Sequence, residues 1–165
     1  MNWILFVYKI PPKPTKYRAA VWREMKKIGA LYLQDGVCLV PDFDDVQLYI
    51  SALGEKIVSF GGHEYSFHSK AFSEEQNKDL IRQFDEAREK EYEELIPWIQ
   101  SIMQYFEEEE AWEYSESQIQ KIKEEFRKMQ RQFQIVSSRD YFETAMGKKL
   151  QLMIDQCRKQ MNQHF

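Results

Sequence analysis

Glycine and proline crowd into one end of this chain. Five of the six glycines (29, 36, 54, 61 and 62) and four of the five prolines (11, 12, 14 and 41) precede residue 73; only Pro97 and Gly147 follow. These residues make tight turns and stop helices, so short elements are expected before that point and long helices after it. The chain therefore divides into residues 1–72 and a helical region over 73–165. Its 165 residues suit one domain, or a small domain with an appendage. With 43% hydrophobic and 30% charged residues it is too apolar for disorder and too charged for a membrane span.

Hydrophobic patterning orders the first part. Trp3–Tyr8 is a continuous apolar run, as in a strand buried on both faces, and Ile10-Pro11-Pro12 closes it. Pro14-Thr15 opens a helix in which Tyr17, Val21, Met25 and Ile28 form one stripe, with Gly29 at its C-terminal end. Asp35-Gly36 between two apolar runs predicts a hairpin with a type I′ turn. Asp42 or Asp44 is placed to cap a second helix that buries Val46, Ile50, Leu53 and Ile57. After Gly61-Gly62, His63–Lys70 alternates, with Tyr65 and Phe67 expected inward. The order β-α-β-β-α-β is that of a ferredoxin-like sandwich, in which the first strand is central and the last is an edge. The fold class is thus α+β, a ferredoxin-like domain followed by about three long helices.

The second part reads as amphipathic helices. Ser73-Glu74-Glu75-Gln76 is a capping box, and Pro97 should kink or restart the helix it opens. Ile119, Ile122, Phe126, Met129, Phe133 and Val136 alternate by three and four, the spacing of a helix–helix seam. Phe142, Met146, Leu150, Ile154, Cys157 and Met161 line a third helix after Ser138 or Asp140. Glu107–Glu110 reads as a solvated helix end. These helices should pack on one another, and on their own sheet or that of a partner subunit.

Charge is unevenly spread. The formal net charge is −4, yet residues 9–27 hold seven cations (Lys9, Lys13, Lys16, Arg18, Arg23, Lys26 and Lys27) against one anion, Glu24. At about 100° per residue, Lys16, Arg23 and Lys27 fall within about 40° of one another, opposite the apolar stripe. Lys16, Arg23, Lys26 and Lys27 are the candidate anion-binding residues, suited to the phosphates of duplex DNA. Trp22 lies off the stripe and is a candidate interface residue.

Catalytic patterns are missing from the sequence, and no enzyme activity, metal or cofactor is expected. His63, His68 and His164 do not form a ligand spacing, and neither a phosphate-cradling glycine loop nor a nucleophile elbow occurs. Cys38 and Cys157 sit in apolar patterns, as buried inert thiols do. Two cysteines without a CxxC spacing, no signal peptide and no long apolar run point to a cytoplasmic protein without membrane attachment.

The stretch Ala20-Val21-Trp22-Arg23-Glu24-Met25-Lys26-Lys27-Ile28-Gly29-Ala30-Leu31-Tyr32-Leu33-Gln34-Asp35-Gly36-Val37 resembles the signature of the ChrB N-terminal family of chromate resistance proteins. Tyr8-Lys9-Ile10-Pro11, Glu91-Tyr92 and Arg139-Asp140-Tyr141-Phe142 are similar to that family too. The resemblance implies a regulator of a chromate-efflux operon that binds DNA and responds to chromate. In longer members a second domain follows, and chromate sensing is expected to belong there. A more distant similarity links the strand, basic helix and hairpin to the ferredoxin-like module of Cas2 nucleases and PaaX-type repressors. Cas2 enzymes carry a metal-binding aspartate at the end of the first strand. Val7-Tyr8-Lys9-Ile10 offers lysine there, which disfavours a metal-dependent nuclease because Mg²⁺ takes oxygen ligands. The expectation is a homodimeric, non-enzymatic DNA-binding regulator. The competing one is a protein-interaction module that uses Trp22, Ile122, Phe126, Met129 and Phe133.

Overall fold

The computed structural model describes residues 1–107 and 114–164. Residues 108–110 of the acidic run Glu107–Glu110 lie outside them. The order is β1 (Trp3–Lys9), α1 (Thr15–Lys27), β2 (Leu31–Gln34), β3 (Val37–Pro41), α2 (Asp44–Ser59) and β4 (His63–Ser69). Four helices follow: α3 (Glu74–Glu93), α4 (Ile96–Glu107), α5 (Glu116–Ser137) and α6 (Ala145–His164). The chain forms two compact units, Met1–Phe84 and Asp85–Phe165.

In the first unit the four strands make one antiparallel sheet in the order β2-β3-β1-β4. The apolar first strand is central and β4 is an edge, as the ferredoxin-like order requires. Side chains alternate along β1. Ile4 lines a groove with Ile50 and Gly54 of α2. Trp3, on the opposite face, stacks on Phe84 with ring centres 5.5 Å apart. Its indole N–H donates to Asn77 Oδ1 at 2.9 Å. These contacts draw the opening of α3 into the first unit.

The helices follow their stripes. Val21, Met25, Val46, Ile50, Leu53 and Ile57 are buried, and Tyr17 stacks on Phe60 with ring centres 4.1 Å apart. Gly29 takes φ 64°, the left-handed conformation that ends a helix without a Cβ penalty. Neither Asp42 nor Asp44 is the N-cap of α2. Phe43 holds that position without a side-chain hydrogen bond. Asp42 instead accepts from Gln47 Nε2 and pairs with His68 Nδ1, each at 2.8 Å.

Two expectations about the strands are corrected. The Asp35-Gly36 turn is not type I′, since of the two only Gly36 has positive φ, at 71°. A register shift between Tyr32 and Gln34 takes up the strand twist instead. Tyr65 and Phe67 are not inward: they are 64% and 52% exposed. The alternation has the right period and the opposite face. Glu64, Ser66 and His68 face α2, where a Cβ on Gly54 would lie 2.9 Å from the Glu64 carboxyl carbon.

Gly36 supports a prediction. A Cβ there would lie 2.4 Å from the Tyr8 carbonyl oxygen, whose own amide donates to Gly36 O at 2.8 Å. Gly36→Ala combines a left-handed penalty of about 1–2 kcal/mol with a clash against backbone. Urea unfolding should show a loss of at least about 2 kcal/mol; an unchanged midpoint would contradict this turn geometry.

In the second unit α4, α5 and α6 pack on one another. Their core takes in Tyr92, Ile99, Ile102, Phe126, Met129, Leu150 and Ile154. Pro97 sits in the first turn of α4, where its missing N–H costs little, so it restarts the helical path as expected. Ser73 Oγ accepts from Gln76 N at 3.1 Å at the start of α3. A full capping box that pattern reading missed, Ser115 with Gln118, starts α5. Among the described residues no helix is long and apolar enough to cross a membrane.

Candidate anion-binding cleft

The basic segment is displayed on α1. Lys16, Arg23, Lys26 and Lys27 are all exposed. The one acid of the helix, Glu24, is shared. Lys27 Nζ lies 3.4 Å and Lys56 Nζ 3.6 Å from its carboxylate oxygens, and Tyr49 OH donates to it. The Tyr49 hydrogen bond, with help from the two lysines, holds this carboxyl below its ordinary value. Lys27 is therefore partly neutralised, whereas Arg23 has no carboxylate partner among the described residues. Lys26 Nζ stands 5.6 Å from the Trp22 ring centre, and Lys16 Nζ 5.5 Å from that of Tyr17, a favourable placement for cations over aromatic faces.

The other flank of α1 shapes a cleft. Arg18 and Trp22, one turn apart, face the end of β1 and the β2–β3 turn across an open space of about 770 Å³. Lys9, Tyr8, Tyr32 and Asp35 complete its lining. Trp22 is 52% exposed there. The Tyr8 and Tyr32 hydroxyls lie 3.1 Å apart, and burial raises both phenol pKa values. Beneath them Cys38 is buried, and burial pushes its thiol up to about 12. Cys157 is likewise buried and pushed up to about 11.

The cleft thus offers two cations, hydroxyl groups and an indole face, and no thiolate nucleophile. Such groups suit an oxyanion or a phosphate; Asp35 on the rim opposes one. Among the described residues no group of three or more His, Cys, Asp or Glu is placed to hold a metal ion. Lys9 and Arg18 appeared in the sequence as members of a basic run. Their convergence with Tyr8 and Tyr32 needed the hairpin, the strand and the helix in place.

Of the residues expected to meet a protein partner, Trp22 lines this cleft and the other four lie elsewhere. Ile122, Phe126, Met129 and Phe133 are buried in the second unit, packed with residues of α4 and α6 of the same chain. The three-four alternation did mark a helix–helix seam; the chain itself fills it.

Two separated sequence motifs meet in that unit. Arg139 donates from Nε and Nη2 to Glu91 Oε2 at 3.1 and 2.9 Å, and Arg88 Nη1 lies 2.9 Å from the same oxygen. Tyr92 OH donates to Asp140 Oδ2 at 3.1 Å. Asp140 also accepts from Thr144 N, at 3.2 Å, and from Thr144 Oγ1, at 3.0 Å, just before α6. Glu91-Tyr92 and Arg139-Asp140 therefore clamp the end of α3 to the start of α6. Residues 18–165 match the family described as "Protein ChrB, N-terminal".

The chain belongs to this family.

The match begins within α1, so Arg18, Trp22, Arg23, Lys26 and Lys27 fall inside it and Lys9 and Lys16 before it. Protein ChrB of Cupriavidus metallidurans is 26% identical to the chain over 87 residues, covering 53% of this chain and 27% of that protein. The likeness thus takes in about a quarter of the relative's length. No solved structure matches the chain. The basic helix from Arg18 onward and the clamp both lie within the matched residues.

Proposed function

We propose that this chain is a non-enzymatic, DNA-binding regulatory module of chromate resistance. Phosphates would be contacted by Lys16, Arg23, Lys26 and Lys27 of α1, and by Arg18 and Lys9 at the cleft. The observation that carries the reading is the exposed, cation-rich surface of α1, where Arg23 has no carboxylate partner among the described residues and Trp22 stands open to solvent. Membership of the ChrB N-terminal family supports the link to chromate resistance, since the family resemblance implies a regulator of that response. The partner-seam alternative loses its surface, because Ile122, Phe126, Met129 and Phe133 already pack within the chain. Chromate sensing is not assigned to these residues.

The test is duplex binding measured by fluorescence anisotropy across a salt series. Each phosphate neutralised adds about 0.9 to the fall of log affinity with log salt. Arg23→Glu and Arg18→Glu should each weaken binding at fixed salt and lower that slope by about 1. Both side chains are on the surface, so folding should be preserved. Folded protein that gives no binding at low salt would refute the proposal, as would affinity untouched by both reversals.

A further inference from the structure

Among the described residues no strand pairs with the outer side of the edge strand β4, whose sequence is complementary to itself. Tyr8 N donates to Gly36 O in the adjoining turn, on the β3 side. Backbone groups alternate in direction along a strand, so Ile4, Phe6 and Tyr8 address β3, while Trp3, Leu5, Val7 and Lys9 address β4. Those four pair in register with Ser69, Phe67, Tyr65 and His63. The amides and carbonyls of Glu64, Ser66 and His68 therefore point away from β1, on a side where no other strand of the described residues pairs. Tyr65 and Phe67 are exposed, and alternation along the strand sets their side chains on the other face from Glu64, Ser66 and His68.

We propose that β4 pairs antiparallel with β4 of a second copy, across a two-fold axis at Ser66. In that register Ser66 meets its own counterpart and Glu64 meets the partner's His68. Each such pair exchanges two N–H···O=C bonds, using backbone groups that no strand among the described residues takes up. Tyr65 and the partner's Phe67 fall at the intervening positions, where facing Cα atoms approach to about 4.5 Å and side chains touch most closely. Aromatic pairs and hydrogen-bonding polar pairs are stabilising cross-strand combinations. Asp42 already holds the His68 ring, at 2.8 Å, and Ser66 Oγ donates to the Glu64 carboxylate at 3.1 Å. Moving the axis to Glu64 would set like carboxylates against each other, and moving it to His68 would separate the aromatic pairs. The chemistry selects one register and closes it as a symmetric dimer. This inference stands on the strand and does not depend on DNA binding.

Sedimentation of the full chain tests it, with amide hydrogen exchange as the second readout. The wild type should sediment at twice the 20.0 kDa chain mass. Ser66→Pro removes only an N–H that points away from β1, a position an edge strand tolerates. Tyr65→Lys adds a charge at an exposed site. Both should be monomeric with an unchanged circular dichroism spectrum. In Tyr65→Lys the amides of Glu64, Ser66 and His68 should exchange about tenfold faster or more than in the wild type. A wild-type monomer at high micromolar concentration overturns the proposal, as does a dimer that survives both substitutions.

Discussion

Asp140→Ala should remove about 3 kcal/mol of stability from the helical unit, much of what a domain of this size holds in reserve. The carboxylate accepts from the Tyr92 hydroxyl and from both the amide and hydroxyl of Thr144. Tyr92 is 1% and Thr144 4% exposed, so neither can turn to water when the acceptor is gone. Stranding buried donors is dearer than deleting a whole hydrogen-bonded pair, at about 1–3 kcal/mol for each group. The neighbouring Thr144 Oγ1 also accepts from Gly147 N at 3.1 Å, so the loss loosens the first turn of α6. Asp140→Asn, which keeps an acceptor oxygen, should recover more than half of the deficit. Urea unfolding followed by far-ultraviolet circular dichroism measures both variants. A change under about 0.5 kcal/mol in Asp140→Ala would mean that the clamp does not hold the unit together.

Phe126→Ala should be at least as damaging, at about 3–5 kcal/mol, from lost apolar burial and the cavity left behind. The informative control lies on the same helix. Ile135 is 49% exposed, and Ile135→Ala should change stability by about 0.5 kcal/mol or less. Paired thermal and urea unfolding of the two variants separates an internal core from an interface. If the seam served a partner instead, Phe126→Ala would leave the isolated chain almost as stable as the wild type.

Much of the fold was legible because it rests on period. The apolar run Trp3–Tyr8 demanded a central strand. Val46, Ile50, Leu53 and Ile57 demanded a helix with one buried face, and the spacing from Ile122 to Val136 demanded a helical seam. Each conclusion follows from how often a side chain returns to the same side, which local geometry fixes. The errors arose where period is silent. Alternation in His63–Ser69 said that two faces differ, but only α2 decided which was covered, and it took Glu64 rather than Tyr65 and Phe67. Asp35-Gly36 announced a turn, but the register shift at Tyr32 and Gln34 decided its type. The seam could be recognised without knowing whose helix would fill it.

The candidate site divides in the same way. Seven cations between Lys9 and Lys27, and the exposure of five of them on one helix, follow from composition and the helical repeat. The cleft does not, since Lys9, Arg18 and Tyr32 come from three elements and meet only when the sheet and α1 are assembled. Nor does the clamp, in which Glu91 and Tyr92 reach Arg139 and Asp140 across 48 positions of chain. The sequence by itself determined which elements form, because turn chemistry and side-chain period act over a few residues. Only the tertiary structure decided which faces stay open and which distant polar groups meet. Those outcomes depend on contacts between segments that local preferences do not encode.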